Sequence, residues 1–187
     1  MSSSLRKKVI SAFLAVGLSS TAAFVGYDLT VPSEGLVLTP YSDPVGLKTY
    51  CVGHLATSKD KVKSSYTEEE CMKIFAEDYA KHQKELDKVV KVSYTSDWER
   101  EALTDFTFNN GIGNVQSSTL IKLLNEGKHE QACVQLSRWV FAKGQKLKGL
   151  VTRRENTMPY CLSKLSPDKQ KEYEQFKKEY DEAKSNK

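Results

Sequence analysis

The feature of this sequence that most constrains its fold is an uncharged run near the N-terminus. Arg6, Lys7 and Lys8 precede the run, and no charged residue follows until Asp28. As a helix, residues 9–27 would span roughly 28 Å, about the hydrocarbon thickness of a bilayer. The basic flank predicts that this end stays in the cytoplasm and that the rest of the chain is exported.

Three interpretations of residues 9–27, called here the N-terminal segment, differ in where the segment ends up. The segment is only weakly apolar, because small and polar residues interrupt it: Ser11, Gly17, Ser19, Ser20, Thr21 and Gly26. A cleavable signal peptide would be processed near Thr21-Ala22-Ala23. An uncleaved anchor could insert and later leave the bilayer, and a buried core helix is the third possibility. The basic flank makes the core helix the least favoured, and we favour the anchor over the cleaved signal.

Length and charge set broad limits. The 187 residues are enough for one domain with a real core, and the net charge of +4 leaves cell wall, membrane surface and nucleic acid open as partners. We expect a signal-anchor over residues 1–28, a folded domain over 29–165 and a charged C-terminal extension over 166–187. The extension alternates Lys and Glu, which favours a solvated helix over one that binds a partner.

The pattern after the N-terminal segment predicts a small β element. Pro32 lies in a short connector and disfavours helix at Val31. Residues 36–54 alternate loosely between apolar and polar around two turn signals, which is typical of a β-hairpin or meander. A polar, lysine-rich surface loop is expected over residues 56–65.

Helices are predicted for the remainder. Thr67 with Glu70 and Ser96 with Glu99 have the spacing of capping boxes that begin two helices. Further helices are expected over residues 118–124, 129–141 and 150–162, with Pro159 kinking or ending the last one. The predicted fold class is therefore α+β, with a small β lobe followed by a larger helical lobe.

The four cysteines form an even set outside the N-terminal segment. In an exported chain we expect them to pair, and three connectivities are possible. The local pairing, Cys51 with Cys71 and Cys133 with Cys161, would tie the hairpin to the first helix and join the last two helices. A zinc site built from Cys51, His54 and Cys71 is less favoured, because it lacks paired C-x-x-C spacing.

Two carboxylic acids could carry glycosidic chemistry. Glu34 is followed by Gly35, Leu36 and Leu38, an apolar setting that favours a protonated carboxyl able to donate to a leaving oxygen. Asp43 lies in a hydrated turn and is expected to be ionised. Thr49 could hold a water molecule if the hairpin folds it back beside Asp43. The spacing alone is weak evidence in a chain this rich in acids.

The context of these residues resembles the active-site hairpin of phage-type lysozymes, glycoside hydrolase family 24. In that family a Glu, an Asp nine residues later and a Thr six residues after that form the catalytic triad, and Glu34, Asp43 and Thr49 match all three positions. The resemblance extends over roughly 130 residues, and the N-terminal segment makes the chain most similar to the signal-anchor-release endolysins of lambdoid phages, the phage 21 type. The matching stretches are Glu34-Gly35-Leu36, residues 40–46, 49–54, 66–71, 108–114, 118–120, 132–140 and 149–155.

The resemblance implies a lysozyme-like fold and hydrolysis of the β-1,4 bond between N-acetylmuramic acid and N-acetylglucosamine. Glu34 would donate the proton, and Asp43 and Thr49 would position and activate water, with inversion as the expected outcome. No metal or cofactor is implied. The expected partners are peptidoglycan glycan strands and, through residues 9–27, the bacterial inner membrane. We expect a monomer that binds no nucleic acid and moves from the host inner membrane to the periplasm.

One departure from the family concerns the position of Glu34. Unanchored members place this Glu at the end of a regular first helix, whereas here only residues 28–33 separate it from the N-terminal segment. We therefore hypothesise that the anchored form is inactive and that release completes the site. Two rival functions are a lytic transglycosylase, which needs no water-activating Asp, and a non-catalytic wall-binding protein.

Overall fold

The computed structural model describes residues 2–42 and 46–186, which form two compact units. Unit 1 contains residues 1–80 together with 175–187, and unit 2 contains residues 81–174. The predicted α+β class is confirmed. In chain order the elements are α1 (Ser3–Ala15), α2 (Ser20–Val25), a π-helix (Gly26–Thr30), α3 (Val31–Glu34), β1 (Val37–Ser42), β2 (Lys48–Cys51), β3 (His54–Leu55), α4 (Glu68–Val89), α5 (Asp97–Asn110), α6 (Ile112–Gln116), α7 (Thr119–Asn125), α8 (His129–Val134), a 3-10 helix (Gln135–Arg138), β4 (Phe141–Ala142), β5 (Gln145–Lys146), α9 (Lys148–Cys161) and α10 (Pro167–Ser185).

The N-terminal segment forms the core of unit 1. Gly17, with φ of +75°, ends α1, and Ser19 then caps α2 by accepting a hydrogen bond from the Ala22 amide at 3.1 Å. Phe13 packs on two aromatic rings of α4, with centroid distances of 5.3 Å to Phe75 and 5.2 Å to Tyr79. The buried core helix, the least favoured interpretation of this segment, is thus the arrangement in the folded chain, divided into two helices. The fully or almost fully buried side chains are Val9, Ile10, Phe13, Ala22, Ala23, Phe24 and Val25.

A search for membrane-crossing helices covered the part of the chain that the structure describes. None of its helices combines the length and the apolarity needed to cross a bilayer.

The predicted connector over residues 28–33 is wrong, because the chain remains helical from Ser20 to Glu34. The π-helix precedes Pro32, and the Val31 amide bonds to the Gly26 carbonyl five residues back. Proline lacks an amide hydrogen and clashes with the carbonyl four residues before it in a regular α-helix. The wider π turn relieves that conflict, so Pro32 is accommodated at the start of α3 instead of ending the helix.

The predicted β meander is confirmed. Strands β1, β2 and β3 form one antiparallel sheet in that order, with β2 in the centre. Thr49 on β2 pairs with Tyr41 on β1 and with Leu55 on β3. The polar stretch over residues 56–65 forms no helix or strand, as expected for a surface loop.

Helix α4 begins at the capping box predicted from the sequence. The Thr67 hydroxyl accepts from the Glu70 amide at 3.2 Å, and the Glu70 carboxylate accepts from the Thr67 amide at 2.9 Å. One turn later, Cys71 forms a disulfide with Cys51 of β2. This bond and the Cys133–Cys161 bond confirm the local pairing, and both thiolates of the alternative zinc site are consumed.

Unit 2 is mostly helical. At the start of α5, one of the two hydrogen bonds of the predicted capping box is formed and the other is replaced. The Ser96 hydroxyl accepts from the Glu99 amide at 3.1 Å, as expected. The Glu99 carboxylate, however, accepts from the Thr95 amide at 2.7 Å and meets Nδ1 of His129 at 2.8 Å. His129 draws the buried carboxylate away from Ser96, a partner that the local pattern did not reveal.

Two helix predictions in unit 2 need correction. The helix expected over residues 129–141 ends at Val134, and the chain continues through the 3-10 helix into the hairpin β4–β5, where Lys143 and Gly144 take positive φ. Helix α9 includes Pro159 near its last turn and continues to Cys161. A proline that close to the C-terminus removes one hydrogen bond without ending the helix.

The C-terminal extension is helical, but its second half is not simply solvated. Within unit 1, Phe176 is fully buried and its ring lies 5.3 Å from that of Phe24 and 5.7 Å from that of Tyr27. Tyr180 is also buried and donates its hydroxyl to the Leu18 carbonyl. The preference for a solvated extension was therefore wrong for this face of α10.

Candidate active site

Glu34 is the last residue of α3 and lies against the β2–β3 turn. Gly35 ends the helix with φ of +78°, and Gly53 in the turn has φ of +66°. A Cβ atom placed on Gly53 would come within 3.1 Å of Oε2 and 3.5 Å of Cδ of Glu34. Glycine at this position thus lets the backbone of the turn approach the carboxyl group, and its positive φ suits glycine best.

Thr49 occupies the centre of the same sheet. Its side chain is 6% exposed, and the hydroxyl forms no hydrogen bond with any residue that the structure describes. A buried hydroxyl without a protein partner is costly unless water satisfies it. Its cross-strand neighbours Tyr41 and Leu55 are about half exposed, so they present apolar surface on the same face of the sheet.

Asp43 lies outside the described residues, together with Pro44 and Val45. The ends of the segment that contains it are defined, because Ser42 at the end of β1 pairs with Lys48 at the start of β2. Glu34 and Thr49 are thus placed in one hairpin region of unit 1, as the sequence predicted.

A half-buried polar cluster supports this hairpin from α4. His54 of β3 donates from Nδ1 to Asp78 at 2.6 Å, and its Nε2 lies 3.8 Å from Asp60. The hydrogen bond to Asp78 raises the pKa of His54 above its ordinary value of 6.5, and the negative charges of Asp78 and Asp60 add to the rise against the effect of burial. The ring of Tyr50 packs against His54 and stacks on Tyr66 at 4.6 Å.

The role of Asp78 beside the hairpin was not predicted from the sequence, although its spacing from Cys71 indicated its position. It follows Cys71 by seven residues on α4, which is about two helical turns, so both side chains face the same way. Once Cys71 is joined to Cys51, Asp78 must also face the sheet. The disulfide also holds Cys51 at φ of +56°, between Thr49 and Gly53.

A metal site is not found in the described parts of the chain. Residues 2–42 and 46–186 contain no group of three or more His, Cys, Asp or Glu side chains placed to hold a metal ion.

Comparisons with known proteins identify the family. Residues 32–157 match the Phage lysozyme family, a range that includes Glu34, Asp43 and Thr49. The chain belongs to the phage lysozyme family. The SAR-endolysin of Enterobacteria phage P21 is 38% identical over 168 residues, covering 87% of this chain and 98% of that protein. The SAR-endolysin of Bacteriophage PS119 is 36% identical over 164 residues, covering 87% and 96%.

A solved structure supports the same assignment. The endolysin from Escherichia coli O157:H7 phage FAHEc1 superimposes with a TM-score of 0.65 and 30% sequence identity, over 76% of this chain and 93% of that one. The lysozyme-like fold expected from the sequence is thereby confirmed. This phage lysozyme is a glycoside hydrolase that acts on bacterial peptidoglycan, and its function is host cell lysis.

In unit 2 of this phage lysozyme, Arg154 has a packing role. Its side chain is 1% exposed, and its guanidinium donates to the Asn109 side chain at 2.5 Å and to the Trp139 carbonyl at 3.1 Å. The guanidinium also lies 4.9 Å from the centre of the Phe106 ring. These contacts link α9, α5 and the residue after the 3-10 helix, and they account for the burial of this arginine.

Proposed function

We propose that Glu34 is the proton donor, and that Asp43 and Thr49 guide the attacking water, in hydrolysis of the bond between N-acetylmuramic acid and N-acetylglucosamine. The observation that carries this proposal is the buried Thr49 hydroxyl, which has no partner among the described residues, in the sheet whose next turn, at Gly53, lies against the Glu34 carboxyl. A hydroxyl in that state is suited to binding a water molecule. Tyr41 and Leu55 offer an apolar surface beside it for a sugar ring.

The proposed reaction is a single displacement. Water attacks C1 of N-acetylmuramic acid, the bond from C1 to the glycosidic oxygen breaks, and that oxygen takes the proton of Glu34. The ionised Asp43 accepts a proton from the water, while the Thr49 hydroxyl orients it. Attack opposite the leaving group inverts the β configuration, so the first product is the α-anomer.

Product analysis with purified protein tests this mechanism. We expect Glu34→Gln and Asp43→Asn each to lower the rate of peptidoglycan hydrolysis by about 10²- to 10⁴-fold, because each removes one proton transfer. Proton NMR during the first turnovers of the unsubstituted enzyme should show the α-anomer. Formation of 1,6-anhydro sugars would identify a lytic transglycosylase, and lysis unaffected by either substitution would indicate a wall-binding protein.

The second part of the proposal concerns location. Residues 1–28 would act as a signal-anchor in the host inner membrane, and the enzyme, with its catalytic domain over residues 29–165, would be released to the periplasm as a monomer. Two of its relatives are named SAR-endolysins. The N-terminal segment is apolar enough to insert weakly, and its glycine, serine and threonine residues lower the cost of leaving the bilayer.

The basic flank supports the release step. Lys8 lies 2.8 Å from Glu68 and 3.3 Å from Glu69 at the start of α4. In an anchored chain Lys8 would remain on the cytoplasmic side, while α4 would lie in the periplasm. The membrane would then separate Lys8 from both of its carboxylate partners. The folded arrangement would therefore be the released one, in which Glu34 lies against Gly53.

A chain held more firmly in the membrane tests the release step. Ser11 and Ala15 are exposed in the folded chain, so Ser11→Leu with Ala15→Leu should strengthen membrane insertion without filling the core. We expect delayed lysis and protein retained in the membrane fraction, with normal hydrolysis by the refolded, purified variant. Lysis at the unsubstituted rate, with protein in the membrane fraction, would refute inactivity of the anchored form.

A further inference from the structure

Three residues on one turn of α10 contact the middle and the C-terminal end of the N-terminal segment, together with its basic flank. Phe176 packs between Phe24 and Tyr27, and Tyr180 donates to the carbonyl of Leu18, where the chain passes from α1 to α2. The Glu179 carboxylate lies 3.0 Å from the guanidinium of Arg6. We call Phe176, Glu179 and Tyr180 the clamp.

The clamp contrasts with the rest of the second half of α10. Phe176 and Tyr180 are the buried residues of this helix, four positions apart and therefore on one face. The Lys and Glu side chains around them are largely exposed, and pairs such as Lys177 with Asp181 stay within the helix. The buried surface of this half of α10 is thus the surface that meets the N-terminal segment.

We propose that the clamp is the docking surface for the N-terminal segment after it leaves the membrane, and that it thereby sets how much of the exported enzyme becomes active. This inference rests on the proposed release step and deepens it, because it names the element that receives the released segment. Phe176 supplies an apolar contact, Tyr180 a hydrogen bond at the helix break, and Glu179 a charge for the basic flank.

A continuous helical path connects the clamp to the catalytic residue. From Ser20 the chain is helical through the π-helix and α3 to Glu34. Phe176 contacts this path at Phe24 and Tyr27, seven residues and roughly 10 Å before Glu34. Fixing the rotation of the helix at Tyr27 therefore also fixes the direction in which Glu34 leaves it.

The contacts of the clamp are specific to the released state. In the anchored chain Arg6 would be cytoplasmic and Glu179 periplasmic, so their ion pair cannot form across the membrane. Phe24 and Tyr27 would lie in or beside lipid, which would leave the Phe176 ring in water. Burial of this ring and formation of the ion pair both favour the released chain, so the clamp shifts the equilibrium away from the membrane.

Hydrogen exchange of the full-length, purified protein tests the docking step. Tyr180→Phe removes one hydrogen bond, and Phe176→Leu reduces the ring contact while keeping an apolar side chain. We expect amides of residues 9–27 to exchange about tenfold faster in each variant, as the loss of one buried interaction implies. Amides of α5 and α7 in unit 2 should be unchanged, and Lys178→Ala, on the exposed face of the same helix, should match the unsubstituted protein.

Two outcomes of the exchange experiment count against the clamp. If residues 9–27 exchange at the unsubstituted rate in both variants, the clamp has no specific hold on the segment. If α5 and α7 accelerate equally, the substitutions act on the whole fold, and Glu179→Gln, which leaves the buried contacts in place, decides the matter. Faster exchange confined to residues 9–27 supports the clamp, and unchanged exchange refutes it.

Lysis assays separate this inference from the proposed function. In cells we expect the clamp variants to remain longer in the membrane fraction and to lyse later, whereas Lys178→Ala lyses on time. Failure of Glu34→Gln to reduce hydrolysis would refute the proposed function whatever the clamp does. Normal hydrolysis and normal timing of lysis in both clamp variants would refute the clamp alone.

Discussion

The two units bury different kinds of polar residue. In the described part of unit 1, the buried polar side chains are three threonines, Thr21, Thr30 and Thr49. Unit 2 buries five charged side chains: Glu99, Glu101, Asp105, Arg153 and Arg154. A segment that has to enter a bilayer cannot carry charge cheaply, whereas a unit that is always in water can bury charges if they are paired. Residues 9–27 of unit 1 carry no charged side chain, which matches their proposed passage through the bilayer.

The units also differ in the sequence distance that their contacts bridge. Tyr180 and Leu18 are 162 residues apart, and Arg6 and Glu179 are 173 apart. In unit 2 the buried pair of Arg153 and Asp105 bridges 48 residues. Unit 1 can thus fold completely only when residues near the N-terminus can meet residues near the C-terminus.

The largest stability effect should come from the buried ion pair of unit 2. Asp105→Asn removes the carboxylate charge that lies 2.9 Å from the Arg153 guanidinium, in a site that is 6% exposed. We expect the free energy of unfolding to fall by about 3–5 kcal/mol in urea titrations. Glu130→Gln, which removes an exposed ion pair with Lys164, should change it by less than about 1 kcal/mol. Equal effects of the two substitutions would contradict the difference in burial.

Removing one disulfide at a time should separate stability from activity. The loops closed by the bonds contain about the same number of residues, with separations of 20 and 28, so each bond should contribute about 3–4 kcal/mol. Cys51→Ala with Cys71→Ala should also reduce the rate of hydrolysis, even at temperatures well below the melting temperature of the variant, because Cys51 lies between Thr49 and Gly53. Cys133→Ala with Cys161→Ala should lower the melting temperature and spare activity at low temperature. Equal loss of activity in both variants would argue against a local role for Cys51.

A pair of glycines tests how tightly the core of unit 1 is packed. A Cβ atom on Gly26 would lie 2.7 Å from Cζ of Phe13 and 3.2 Å from Cζ of Phe75. We expect Gly26→Ala to destabilise the protein by about 1–3 kcal/mol, because the aromatic rings must move. Gly149→Ala in α9 of unit 2 meets no atom within 4 Å and should be neutral or slightly stabilising. Thermal unfolding of the two variants provides the comparison.

The smallest effect should be a pH dependence that originates in unit 1. Asp78 raises the pKa of His54 in the folded state, so the folded chain binds this proton more tightly than the unfolded chain. The contribution is complete below pH 6.5 and is lost as the pH rises through the folded-state value. Urea unfolding between about pH 5.5 and 8.5, the range in which histidine titrates, should show this loss. His54→Gln should flatten the plot of unfolding free energy against pH. A curve of unchanged shape in His54→Gln would assign the dependence to other groups.

Local chemistry was sufficient to predict several elements. The capping box at Thr67 and the β meander depend on residues within a few positions of one another. The positions of Glu34 and Thr49 in one hairpin region followed from the resemblance to the phage lysozyme family. The catalytic roles of Glu34, Asp43 and Thr49 stay predictions.

The misses on the N-terminal segment, α10 and Glu99 have a common cause, because each depended on a distant partner. An uncharged segment suits lipid or a protein core equally well, and the aromatic residues Phe75 and Phe176 that bury it lie about 50 and 150 residues away. The role of Phe176 could not be recognised in a stretch of alternating Lys and Glu. Likewise, Glu99 was assigned to Ser96 until His129 supplied a stronger partner.

The π-helix between Gly26 and Thr30 has a consequence for the direction in which the Glu34 carboxyl points. A π turn holds one residue more than an α turn, and each residue of an α-helix advances the side-chain direction by about 100°. Deleting one residue within this turn would restore a regular α turn and leave the direction of Glu34 relative to Phe24 nearly unchanged. The same deletion within α2, a regular helix, would instead rotate the carboxyl by about 100° away from Gly53.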